Sequence, residues 1–322
     1  MHTARLRDTG MSTAFYSHPD CLRHDMGPGH PECPQRLAAI DDHLLATGLD
    51  VALLRRDAPL ADAADLEHAH SKGYLLELGA LLDEVGSSGE PRAIDPDTVA
   101  GPATRQAMLR AAGAAVAATD EVIDGKVDNA FCAVRPPGHH ATRDAAMGFC
   151  FVNNVAIAAR HALDVRGLSR VAIVDFDVHH GNGTEDIVAG DERILMCSFF
   201  QDRLYPFSGS VPKGENMVNL PVPAYTRGRE VRELIEANWW PRLEAFRPEM
   251  IFISAGFDAH REDDLGQLGL VEADYEWITR RVVEVAERHA KGRIVSCLEG
   301  GYALSALARS VAAHVRVLAG VA

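Results

Sequence analysis

Four short apolar runs that pass straight into polar, glycine-rich segments constrain this sequence more than any other feature. Ala130–Val134 leads into RPPGHH, Val171–Asp177 into DFDVHHGNGT, Met250–Ser254 into SAGFDAHREDD and Arg293–Leu298 into EGGY. A fifth run, Arg193–Phe199, has the same character. Their β-branched residues are apolar on both faces, as parallel strands covered from both sides are. Amphipathic stretches alternate with them. Pro34–Leu49 carries Leu37, Ile40, Leu44 and Leu45 at helical spacing, and Pro102–Ile123 opens with proline, which a first helical turn accepts. Glu230–Phe246, Glu272–Ala290 and Ala303–Leu318 are further predicted helices. The alternation predicts an α/β fold on a central parallel sheet. Sites in such sheets form at the carboxyl ends of strands, where the four polar segments lie.

Size and charge narrow the function. A length of 322 residues fits two average domains or one large α/β domain. Lys and Arg total 32 against 46 Asp and Glu, for a net charge of −14. Such a surface repels phosphate backbones and argues against nucleic-acid binding. The six cysteines form no C-x-x-C pair, and most lie in apolar stretches, which predicts buried thiols in a reducing compartment. The N-terminal residues show no apolar h-region, and no apolar run reaches membrane-spanning length. The expectation is a cytoplasmic protein without a membrane segment.

Each polar segment carries groups suited to hydrolytic chemistry. In Asp175-Phe-Asp177-Val-His179, alternate side chains of an extended strand share a face, so a carboxylate and an imidazole can grip one metal ion. Asp258-Ala-His260-Arg-Glu-Asp263-Asp264 offers a further carboxylate, which completes a three-ligand set with an open position. Two carboxylates and one imidazole suit zinc and also accept Fe(II). The blander reading of these acids is turn and helix capping. His139 and His140, held between prolines and a strand, suit an acid/base pair. In Glu299-Gly-Gly-Tyr302 the glycines permit a close backbone approach, and the phenol can donate to a developing oxyanion.

Taken together, HDMGPGHPECPQRL, RPPGHHA, GFCFVNNVAIAA, VDFDVHHGNGT, SAGFDAHREDDLGQL and LEGGY resemble the histone deacetylase superfamily, in its order and over about residues 15–318. The asparagine of HHGNGT and the SAGFDAH stretch resemble its class II branch, which includes bacterial histone-deacetylase-like amidohydrolases and acetylpolyamine amidohydrolases. The resemblance implies a single deacetylase domain over 1–322 with the three-layer α/β/α arginase/deacetylase fold and a parallel sheet of about eight strands. It implies Asp177, His179 and Asp263 as zinc ligands, and His140 as the general base that takes a proton from water and later protonates the leaving amine. His139 becomes its partner, bonded to Asp175, while Asn182 orients His140 and Tyr302 polarises the carbonyl. A donor such as Tyr302 contributes about 3–4 kcal/mol to oxyanion stabilisation. Gly148, Phe149, Phe207 and Leu265 match the substrate channel. Main-chain carbonyls around Asp175, Asp177 and His179, with Ser198 and Phe199, match a structural potassium site. Asp264 departs from the family, which has proline there. Related bacterial enzymes form dimers or tetramers, so a homo-oligomer is implied.

Rival readings are weaker. An arginase-like binuclear site needs a second carboxylate two residues after His179, where this chain has Gly181. An inactive binding module has no need for a full set of matched catalytic positions. Within the deacetylase reading the substrate divides between an acylated lysine peptide or protein and an acetylated polyamine. Leu265 stands where a polyamine-selective branch has glutamate, which favours acyl-lysine. Asp95 and Asp97, in AIDPDT, could instead receive a polyamine, although a turn with a helix cap explains them as well.

Overall fold

The computed structural model describes residues 11–321. The first ten residues, part of the stretch that shows no apolar h-region, lie outside the described residues. The strands are β1 (Thr13–Ser17), β2 (Leu53–Asp57), β3 (Arg92–Ala93), β4 (Val99–Ala100), β5 (Asn129–Cys132), β6 (Val171–Asp175), β7 (Ile194–Gln201), β8 (Met217–Val222), β9 (Met250–Ala255) and β10 (Ile294–Leu298). Eight of them form one sheet in the order β2-β1-β5-β10-β9-β6-β7-β8, and β3 pairs with β4 in a separate hairpin. Every pairing in the large sheet is parallel.

The helices are α1 (Pro19–Arg23), α2 (Gln35–Ala46), α3 (Ala63–Glu67), α4 (Lys72–Ser88), α5 (Thr104–Ile123), α6 (Asn154–Asp164), α7 (Asn182–Val188), α8 (Gly228–Phe246), α9 (Glu272–His289) and α10 (Leu304–Leu318). They cover the sheet, so β5, β6, β7, β9 and β10 are buried along their whole length. Burying one Val or Ile side chain there contributes about 1.5–3 kcal/mol. The helix α10 shows how the sequence specifies this packing. Leu307, Val311, Val315 and Leu318 recur at helical spacing and are buried, in a helix that packs against α2 and α9. Among the described residues no helix is long and apolar enough to cross a membrane.

The expected strands are present with small shifts, and five were not expected: β1, β2 and β8 of the large sheet and the short pair β3 and β4. β2 and β8 are the two edges of the sheet. Their exposed positions, such as Leu54 and Arg55, break the continuous apolar run by which a central strand is recognised. The strand β6 also stops at Asp175, short of the expected Asp177. Asp177 and His179 therefore belong to a tight loop in which Asp175 Oδ1 accepts the Asp177 amide and Asp177 Oδ1 accepts the His179 amide.

Candidate active site

Four loops at the carboxyl ends of β5, β6, β9 and β10, neighbours in the middle of the sheet, bring the candidate residues together. The loop after β5 carries His139 and His140. Glu299, at the end of β10, fixes that loop by accepting the Gly138 and His139 amides on one oxygen while Ser254 donates to the other. Burial pushes the Glu299 carboxyl up to about 7, against the opposing charge of His139. Glu299 is a supporting residue that sequence reasoning did not single out. Its only signal was the position before Gly-Gly-Tyr.

The two histidines differ in environment. His139 Nδ1 is 3.0 Å from Asp175 Oδ2, and His140 Nδ1 is 2.7 Å from Asn182 Oδ1. Burial opposes the charged form of His139, but Asp177, Asp175 and Glu299 outweigh it and hold its pKa well above the ordinary value. His140 has only a neutral amide partner. Burial and the neighbouring His139 and His179 push its pKa well below the ordinary value. One ring is therefore kept charged and the other neutral, the separation that acid/base sites require.

Asp177, His179 and Asp258 place ligand atoms within 4.8 Å of one another. His179 Nδ1 lies 3.0 Å from Asp177 Oδ1 and 3.2 Å from Asp258 Oδ2. Burial opposes the charged imidazole, but the two carboxylates lift its pKa to about 10. Burial and the neighbouring Asp177 raise the Asp258 carboxyl. Its Oδ1 accepts the Val178 amide, whereas Oδ2 is buried without a hydrogen bond. A bare buried carboxylate oxygen beside a second carboxylate and an imidazole fits a divalent cation. Gly300 packs its backbone directly on this pair: a Cβ there would meet Asp258 Oδ2 at 2.0 Å and Asp177 Oδ2 at 2.6 Å, so a side chain at this position would displace both oxygens. The donor set therefore fits a metal.

The third carboxylate of this cluster differs from the one the resemblance implies. Asp263 is buried, but its Oδ2 accepts the amides of Tyr302 and Ala303, and its Oδ1 that of Leu265. Asp258 is the carboxylate whose oxygen lies within 4.8 Å of the Asp177 and His179 ligand atoms. Asp263 Oδ1 retains a lone pair beyond its one amide contact.

A cavity of about 360 Å³ opens onto these groups. His140, His179 and Tyr302 line it together with Phe149, Leu204, Tyr205 and Leu265. Gly148 also lines it, while His30, Pro31, Pro96, Asp97 and Val99 complete the lining. The expected wall Phe207 is not among these residues. It is 78% exposed and borders a separate groove, because its loop turns outward after Pro206. Tyr205 takes its place, with its ring centroid 5.2 Å from that of His140. His30 packs edge-on against Phe149 at 4.7 Å. Asp95 Oδ1 caps the amides of Asp97 and Thr98, as a turn residue does, whereas Asp97 is exposed at the cavity.

Arg36 was also not anticipated. It is fully buried, donates to the carbonyls of Gly301 and Glu299, pairs with Glu32, and its guanidinium lies 4.9 Å from the centre of the Tyr302 ring. It fixes the turn that presents Tyr302. Burial holds the Tyr302 phenol well above its ordinary pKa, although Arg36 opposes this. Ser198 pairs with Asp175 across β6 and β7, and both Ser198 and Phe199 are buried.

Comparison with known proteins identifies the family. The histone deacetylase domain family matches residues 30–318, and the chain belongs to it. The chain is 37% identical over 314 residues to a histone deacetylase-like amidohydrolase of Pseudomonas aeruginosa, covering 90% of this chain and 81% of that one. It is 36% identical over 302 residues to a probable deacetylase of Archaeoglobus fulgidus, covering 91% and 82%. The crystal structure of the HDA15 HD domain superposes with a TM-score of 0.89 at 32% identity, covering 97% of this chain and 89% of that one. The fold is that of the arginase/deacetylase class.

Proposed function

We propose that this chain is a metal-dependent deacetylase, with zinc as its metal, that hydrolyses the acyl-amide of N-acetyl-lysine or a similar acylated amine. The observation that carries the reading is the convergence of His140, His179 and Tyr302 on one largely apolar cavity. Asp177 and His179 would hold the ion with a carboxylate from the Asp258–Asp263 loop. The cluster geometry favours Asp258, and the family resemblance favours Asp263. A divalent cation there supplies a water of lowered pKa and a Lewis acid for the carbonyl.

The chain's own groups account for the remaining steps. Asn182 Oδ1 can only accept, so His140 carries its proton on Nδ1 and leaves Nε2 free as the base. A low pKa keeps that nitrogen unprotonated until it takes a proton from the attacking water. His140 then returns the proton to the leaving amine. His139, kept charged by Asp175 and Asp177, offsets the negative charge that develops beside it. Tyr302 keeps its phenolic hydrogen and donates it to the oxyanion. Phe149, Leu204, Tyr205 and Leu265 exclude water from an apolar stem. Main-chain carbonyls at Asp175, Asp177, His179, Ser198 and Phe199 would take a structural potassium ion.

Leu265 on the cavity wall favours acyl-lysine. A second reading, acetylpolyamine hydrolysis, rests on the exposed Asp97 at the same cavity, where a distal ammonium could pair. Side-by-side turnover of an acetyl-lysine peptide and acetylated putrescine by zinc-loaded protein decides between them, with Tyr302→Phe as control. Faster peptide turnover, abolished in the variant, supports the first reading. Faster polyamine turnover supports the second, and no turnover of either defeats both.

A further inference from the structure

His180, next to His179, plays no part in the chemistry above, yet it is buried with a polar atom close to each ring nitrogen. Its Nδ1 is 2.8 Å from Ser208 Oγ, and its Nε2 is 2.9 Å from Glu185 Oε2. The Glu185 carboxylate lies beside Nε2, and the Ser208 hydroxyl, which can donate or accept, hydrogen-bonds Nδ1. The ring also packs on Phe200 at 4.7 Å. Glu185 is held in turn: its Oε1 accepts the Lys213 amide and the Asn219 side-chain amide. Asn219 also donates to the Gly209 carbonyl. The backbone at Gly209, with φ +89°, lies so close that a Cβ would meet the His180 ring and Phe200 at 2.6 Å.

These contacts converge on one end of the 202–211 loop. The same loop carries Leu204 and Tyr205, which wall the cavity. Its other hydrogen bonds lie within the loop or reach β8: Ser210 donates to Asp202, the Phe207 amide to the Leu204 carbonyl and the Asp202 amide to the Val222 carbonyl. Apart from the ring contacts of Tyr205 with His140 and His179, the Ser208–His180 hydrogen bond is what ties this tip to the loop that carries the candidate metal ligands, among the described residues. We infer that Ser208, His180 and Glu185 form a positioning relay that fixes the Tyr205 wall and so sets how tightly an acyl-amine stem is held. The inference rests on the function proposed above.

Ser208→Ala and Ser208→Thr test it through two separate readouts. Loss of one hydrogen bond should speed hydrogen–deuterium exchange across 202–211 by about three- to tenfold in Ser208→Ala. Exchange in β6 should not change, and Ser208→Thr should restore the wild-type rate. With an acetyl-lysine peptide, KM should rise by a similar factor while kcat stays within about twofold. Unchanged exchange in Ser208→Ala overturns the anchor. Faster exchange with unchanged KM, or a fall in kcat alone, overturns its link to the wall. A wild-type protein that turns over no acyl-amide defeats the proposed function and the link with it, while the exchange result still decides the anchor.

Discussion

Asp263 holds Tyr302 through the main chain: its Oδ2 accepts the Tyr302 amide at 2.6 Å and the Ala303 amide at 2.9 Å. The acidic loop after β9 thereby fixes where α10 begins, and with it the phenol over the cavity. Arg36 completes the arrangement from the other side, 4.9 Å from the ring centre. Position is thus set by groups other than the hydroxyl. Tyr302→Phe should keep its fold, its melting temperature and its metal content, yet lose about 100-fold or more in kcat, as loss of an oxyanion donor does. Turnover within a few-fold of wild type would remove Tyr302 from the proposed mechanism.

The crowding of carboxylates predicts how the site responds to loss of metal. Asp175, Asp177, Asp258, Asp263 and Glu299 are all buried around His139 and His179, an excess of anionic groups that a dication would relieve. Chelation should abolish acyl-amide turnover, and added zinc should restore it. By metal analysis, Asp177→Asn and His179→Ala should lose the ion. Asp258→Asn and Asp263→Asn should each weaken binding by at least about tenfold, and the one that abolishes it names the third ligand. Full metal content in Asp177→Asn would sink the proposed site.

The sequence made the centre of this protein legible and its margins much less so. The runs that became β5, β6, β7, β9 and β10 are apolar throughout because both faces are covered. All but β7 end in a loop that carries a chemical group. β2 and β8 escaped because an edge strand exposes part of its length, as Leu54 and Arg55 do. The pairings of His139 with Asp175 and His140 with Asn182 were readable only through family resemblance, since 36 and 42 residues separate the partners. The channel wall was misplaced by two residues, from Tyr205 to Phe207. Apolar pattern alone does not say which aromatic of LYPFSG a turning loop directs inward. Glu299 and Arg36 gave little signal because their roles depend on backbone groups, which leave no trace in side-chain pattern.

The wall correction can be tested directly. Tyr205→Ala should raise KM for an acetyl-lysine peptide about tenfold, by removing an aromatic face from the stem. Phe207→Ala should leave KM within about twofold, since that ring points to solvent. The reverse result in steady-state kinetics would return Phe207 to the channel.

Buried neutral histidines give the fold a pH limit of its own, away from the active site. His314 lies between Thr279 Oγ1 at 2.7 Å and Ser296 Oγ at 2.9 Å. The Thr279 hydroxyl already donates to the Tyr275 carbonyl. It can therefore only accept from His314, so the ring carries its proton on Nδ1 and Nε2 accepts from Ser296. A second ring proton would displace that bond and bury an unpaired charge. Burial accordingly lowers the His314 pKa to about 3. Burial likewise lowers His70 to about 4, with backbone hydrogen bonds opposing it, and His24 to about 4, with Glu32 opposing it. The folded values lie below the unfolded value of 6.5, so the unfolded chain binds these protons first. Their stabilising effect is complete above about pH 6.5 and declines as pH falls toward the folded values, by up to about 1.4 kcal/mol per pH unit for each histidine. Denaturant unfolding between pH 7 and 4 should show this decline, and His314→Gln should flatten the slope while lowering stability at pH 7. An unchanged slope in that variant would show that His314 does not resist protonation in the folded state.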